Sequence, residues 1–128
     1  MINAIILSKD KACQLELLLS SIRRNTSNLF NIKVLYEASN PVFNEGYQKL
    51  KEETFYHTRR DVNFPVKWHE RTKKNISEDI LSILNEDRDL TCLFSDEDIL
   101  FSRPPSYKEI ITLFRDKPVT ALSFRIGN

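Results

Sequence analysis

Short, uninterrupted apolar runs punctuate this chain, and between them the apolar residues fall at helical spacing, a pattern that leaves few architectures open. Asn3 to Ser8 is one such run, as in a strand buried on both faces. After Asp10, placed to act as an N-cap, Ala12, Leu15, Leu18, Leu19 and Ile22 repeat at helical intervals up to Arg23 and Arg24. Ile32 to Tyr36 reads as a second strand. Ser39-Asn40-Pro41 is a cap with a first-turn proline, opening a helix that carries Phe43, Tyr47 and Leu50 on one face. Val62 to Val66 reads as a third strand, which Pro65 confines to an edge or an end. Ile76, Ile80, Ile83 and Leu84 mark a third helix ending near Asn85, and Leu90 to Phe94 a fourth strand. Past Pro104-Pro105, Ser106 and Glu109 make a capping box for a helix with Ile110, Leu113 and Phe114, and Val119 to Ile126 reads as a closing strand. Such alternation predicts an α/β fold over residues 1–128, one domain with a mainly parallel sheet, helices on both faces and right-handed crossovers.

Composition narrows the function classes. With 128 residues and 41% hydrophobic content the chain can bury a real core. A net charge of +1 gives no basic field for nucleic acid, so no nucleic-acid partner is expected. Cys13 and Cys92 sit in apolar runs without CxxC or histidine spacing for zinc, and read as buried free thiols in a reducing compartment. No run approaches a signal peptide or a transmembrane segment, so the expectation is a soluble, cytoplasmic protein. Only two glycines occur, Gly46 and Gly127, which excludes a Walker A loop and a glycine-rich dinucleotide fingerprint. If phosphate binds here, a metal must hold it. A GxSxG elbow is absent, and no Cys/His set has triad character.

Ligands of parallel sheets collect at the carboxyl ends of the strands, where the strand order reverses. Ser8 to Asp10, Glu37 to Ser39 and Asp96 to Asp98 all fall at expected carboxyl ends, so three polar clusters converge on one edge. In the last of them, Asp96-Glu97-Asp98 places two carboxylates one residue apart at the mouth of the run Leu93-Phe94. Side chains alternate along an extended end, so Asp96 and Asp98 can turn to one side and grip a hard cation, Mg²⁺ or Mn²⁺, with positions left for phosphate oxygens. The duller reading of the triplet is a strand end whose acids cap the next turn.

Ile5-Ile6-Leu7-Ser8-Lys9-Asp10-Lys11 with Gln14-Leu15 and Leu18-Leu19-Ser20-Ser21-Ile22 resembles the opening of nucleotide-sugar glycosyltransferases of the GT-A fold, family 2 and its relatives in particular, and Val34 to Ser39 is similar to their second strand, which ends in an acidic residue. Lys73-Lys74-Asn75 resembles the basic-basic-Asn stretch before their DxD motif, and Asp96-Glu97-Asp98 the motif itself. The resemblance implies a GT-A-like, Rossmann-like nucleotide-diphospho-sugar binding fold. It places Ser8 and Lys9 against the nucleobase, Glu37 on base or ribose, and Lys74 and Asn75 toward ribose or diphosphate. Asp96 would face ribose and metal, and Asp98 would be the main ligand of Mn²⁺ or Mg²⁺ bridging the diphosphate of a UDP-sugar. The cation would neutralise charge growing on the departing diphosphate.

Each assignment has a rival. Glu37 can cap the helix near Pro41, Asn75 can be an N-cap, and Lys9, Lys73 and Lys74 can be solvated. The basic stretch from Tyr56 to Lys74, with His57, Trp68 and His69, reads either as a phosphate or acceptor groove or as a solvated loop with Trp68 packed beneath it. Family members continue past the strand after the DxD into an acceptor half bearing a catalytic carboxylate, so ending at Gly127-Asn128 suggests the donor-binding half, possible self-association and no identifiable base. A non-catalytic module of the same fold is the main alternative; a Mg²⁺-dependent phosphoryl-transfer domain fits poorly, because its acids belong after the first strand. The acceptor and the donor sugar are not legible.

Overall fold

The computed structural model describes residues 2–26, 29–60, 64–72, 74–86, 90–98 and 107–116. Its elements run β1 (Ile2–Lys9), α1 (Ala12–Asn25), β2 (Phe30–Glu37), α2 (Pro41–Arg60), β3 (Val66–Glu70), α3 (Ile76–Glu86), β4 (Thr91–Ser95) and α4 (Tyr107–Asp116). The strands form one sheet in the order β3-β2-β1-β4. Every pairing is parallel, with Ile2 opposite Phe30, Asn3 opposite Thr91 and Ile32 opposite Val66 setting the registers.

The apolar runs behave as a doubly covered sheet requires. Ile2, Ala4, Ile5 and Ile6 are each at most 1% exposed, because alternate residues face opposite helical layers. On one face Ala4, Ile6, Ile32 and Val34 pack with Leu15, Leu18 and Ile22 of α1 and with Tyr47 and Leu50 of α2. Ile110 of α4 joins that cluster. On the other face Ile5, Leu35 and Leu7 meet Ile80, Ile83 and Leu84 of α3. Helices therefore cover both faces, and the described residues form an α/β fold whose four strands are all parallel, on a Rossmann-like plan.

Gly46 has a packing role. A Cβ there would stand 3.3 Å from Ala12 Cβ, so its bare backbone lets α2 approach the start of α1. Asn40 opens α2 by accepting the Phe43 amide on its Oδ1 at 3.0 Å, as the Ser-Asn-Pro signal implies.

The third strand differs from the expected Val62 to Val66. It begins at Val66, since Pro65 has no amide to donate and instead offers its carbonyl to the Ile32 amide at 3.1 Å. Lys67, His69 and Glu70 read as basic loop, yet β3 lies at the sheet edge, where apolar and polar residues alternate. Trp68 is thus a strand residue, edge-on to Tyr36 at 5.8 Å, with its Nε1 donating to Thr54 Oγ1 at 3.1 Å. The expected strand from Val119 to Ile126, the capping Ser106, residues 62–63 and Lys73 lie outside the described residues. No helix among the described residues is long and apolar enough to cross a membrane.

Candidate functional site

Chain order places β2 and β3 to one side of β1 and β4 to the other, so the strand order reverses between β1 and β4. Their carboxyl ends flank the crevice in which parallel α/β sheets hold ligands. Two backbone-anchored contacts close its floor. Asp96, 6% exposed, accepts the Lys9 amide on Oδ2 at 3.2 Å, and its own amide donates to the Leu7 carbonyl at 3.0 Å.

The acidic triplet lies in the turn that follows β4 and not on an extended end, so the expected alternation does not set Asp96 and Asp98 side by side. Asp98 Oδ2 accepts the Ser95 amide at 2.8 Å while the Asp98 amide donates to the Ser95 carbonyl at 3.0 Å. Asp96 and Asp98 therefore each commit one oxygen to a backbone amide, on different segments. Glu97 points outward, 61% exposed at its side chain, and forms an ion pair with Lys11 across the crevice. That contact holds the Lys11 ammonium above its ordinary pKa and the Glu97 carboxyl below its own.

The loop from β1 to α1 is tied down from two sides. Asp10 takes a left-handed backbone, φ 56°, and accepts the Ser39 amide and hydroxyl on its two oxygens, both at 2.7 Å. The amide first, then the hydroxyl, hold the Asp10 carboxyl below the usual carboxylate range. Asp10 is thus not the N-cap of α1. That position is Lys11, which makes no side-chain cap, and α1 has no acidic residue in its first turn. From α2, the Tyr47 hydroxyl reaches Ser8 Oγ at 2.6 Å and accepts the Lys11 amide at 3.1 Å. Burial pushes the Tyr47 phenol up, so it stays protonated.

A charged network extends the edge to β2 and α3. Arg71, just past β3, donates Nε to Asp79 Oδ2 at 2.9 Å and Nη1 to Glu37 Oε2 at 3.4 Å. Asp79 also accepts the Thr72 amide and hydroxyl at 3.4 and 3.3 Å. Glu37 is therefore an ion-pair partner, while Asn40 caps α2. Lys74 and Asn75 are exposed on the approach to α3, and the Asn75 carbonyl accepts the Glu78 amide at 3.1 Å. Ser8, Lys9, Glu37, Asp96 and Asp98 thus gather at one sheet edge, with Lys74 and Asn75 leading into the helix that packs beside it.

Among the described residues no three His, Cys, Asp or Glu side chains converge as a metal-holding group. A Mg²⁺ or Mn²⁺ that shares its shell with phosphate and water needs only one or two carboxylates, and the hard oxygens of Asp96 and Asp98 suit that donor set. His69 lies on β3, and the side chain of His57 is outside the described residues. A separate cleft of about 500 Å³ opens between α1 and α2, over Leu19, Leu50 and Phe64 with Arg24 and Glu53 at its rim. It lies toward the opposite sheet edge, and the convergent polar contacts described above are not part of it.

Sequence reasoning missed Tyr47, Arg71 and Asp79 as site residues. Asp79 falls within the apolar stripe of Ile76, Ile80 and Ile83, and a carboxylate there needs a buried partner. Tyr47 on a core face likewise needs a partner for its hydroxyl, and Ser8 at a strand end is one. Cys13, expected to be buried, is exposed on α1, because it lies off the Leu15, Leu18 and Ile22 stripe; Cys92 is half-buried. Compared with known proteins, the chain matches no family model, no curated protein and no solved structure.

Proposed function

We propose that this domain binds a nucleotide sugar, UDP-linked, at the carboxyl edge of its sheet, as the donor-binding part of a glycosyltransferase. The observation that carries the reading is the convergence of the β1, β2 and β4 carboxyl ends at the point where strand order reverses, each bearing polar side chains. Asp96 and Asp98 would hold the Mg²⁺ or Mn²⁺, and the cation would neutralise charge on the diphosphate as the sugar departs. Glu37, with 41% of its side chain exposed, keeps an acceptor available to a uracil imide proton even while paired with Arg71. Lys9, exposed at the end of β1, can lay its stem along the base, and Lys74 and Asn75 stand on the α3 approach to the same edge.

Titration calorimetry with UDP and ADP, each with Mn²⁺ and with EDTA, tests the reading. Mn²⁺-dependent binding that favours UDP and is weakened by Asp98→Ala but not by Glu97→Ala is the expected result. Equal affinity in Mn²⁺ and EDTA would overturn the metal assignment, and a tie between UDP and ADP would return Glu37 to a purely structural role.

A further inference from the structure

The Lys11–Glu97 ion pair spans the crevice, and neither side chain is needed to build the loops that carry it. The Lys11 backbone is held by its amide on the Tyr47 hydroxyl at 3.1 Å. The turn at Glu97 is held by the Glu97 amide on Ser95 Oγ at 3.3 Å and by the reciprocal Ser95 and Asp98 contacts. Both partners are open to water, with side chains 43% and 61% exposed, whereas Asp96 beneath them is buried. An exposed pair of this kind contributes little to stability. The pair therefore joins two loops already fixed by other bonds, and what it does to the crevice is to place a carboxylate against the ammonium at its mouth.

We propose that Lys11 is a diphosphate-binding residue and that Glu97 occupies it in the ligand-free protein as an internal competitor. The inference rests on the nucleotide reading of the same crevice. Lys11 is the first basic side chain past β1, and α1 behind it has neither a side-chain cap nor an acidic residue in its first turn; of the nearby carboxylates, Asp96 is turned onto the Lys9 amide and Asp10 onto Ser39, and Glu97 is the one paired with the ammonium. A phosphate group offers Lys11 more charge and more acceptor oxygens than Glu97 does, and displaces it at the small cost of an exposed pair.

Competition predicts opposite effects from the two partners, which a structural salt bridge does not. Calorimetry with inorganic pyrophosphate and with UDP, both in Mg²⁺, is run on the wild type, Glu97→Gln and Lys11→Gln, with urea midpoints confirming that all three fold alike. Glu97→Gln should bind both probes about two- to fivefold more tightly, the range an exposed ion pair corresponds to, and Lys11→Gln about tenfold more weakly. Weaker or unchanged binding in Glu97→Gln overturns the competitor role, as does a failure of Glu97→Gln to bind pyrophosphate at all. If Glu97→Gln tightens pyrophosphate while UDP binds no better than pyrophosphate, the Lys11 role stands and the nucleotide reading falls.

Discussion

Tyr47→Phe isolates the bond that ties α2 to the rim of the candidate site. Tyr47 is fully buried, and its ring packs against Tyr36 with centroids 4.9 Å apart, so phenylalanine keeps the packing and removes only the hydroxyl. Ser8 Oγ, on a residue 6% exposed, then loses a partner at 2.6 Å, and the Lys11 amide loses one at 3.1 Å. An orphaned buried hydroxyl costs about 1 to 3 kcal/mol, taken as about 2 here because the Lys11 amide can rehydrate. At about 2.1 cal/mol/K per residue, 128 residues unfold with about 0.27 kcal/mol/K, so Tm should fall by about 7 °C. Ser8→Ala should cost less, about 1 kcal/mol, since the Lys11 amide still satisfies the phenol. The double variant should be about 1 kcal/mol more stable than additivity requires. Scanning calorimetry of the four proteins reads these values. A Tm change below about 2 °C for Tyr47→Phe, or strict additivity, would refute the anchoring role.

Other perturbations probe the rest of the edge. Asp79→Asn should cost about 3 kcal/mol in a urea titration, because Arg71, whose side chain is 20% exposed, keeps its charge and loses its nearer carboxylate; a cost below about 1 kcal/mol would make the network ornamental. Asp10 is held below the usual carboxylate range, so its stabilising effect is present above the unfolded value of about 3.9 and is lost as pH falls below it. The urea midpoint of the wild type should accordingly drop more steeply below about pH 4 than that of Asp10→Asn, and parallel profiles would exclude the Ser39 contact from folding. A water-soluble disulfide reagent should modify exposed Cys13 rapidly and Cys92 slowly, since burial pushes the Cys92 thiol up; equal rates would contradict that burial.

The fold was far more legible than the contacts of its site. Continuous apolar runs such as Ala4 to Leu7 announce doubly buried strands, and the Leu15, Leu18 and Ile22 stripe announces the helix that covers them, because burial imposes those periods directly. β3 was misplaced because an edge strand buries only alternate residues, and Lys67 and Glu70 mask Val66 and Trp68 in a one-dimensional reading. The carboxyl-edge clusters could be found because strand ends follow from strand positions. Their bonding could not: Asp10 lies beside a helix start in sequence, yet parallel pairing of β1 with β2 brings Ser39 to its carboxylate. The same holds for Lys11 and Glu97, which are 86 residues apart and meet only because β4 pairs with β1. Long-range register, which local pattern does not encode, decides these partners.

Backbone amide spectra recorded during a UDP titration in Mg²⁺ test the location of the site most directly. A nucleotide seated at the carboxyl edge should shift the amides of Ser8 to Ala12, Glu37 to Ser39 and Asp96 to Asp98, whose strands end together beside the reversal point. Shifts confined to Glu16, Arg23, Leu50 and Glu53 would instead place the ligand in the cleft between α1 and α2. That result, or a spectrum unchanged at saturating UDP, would contradict a nucleotide site at the sheet edge.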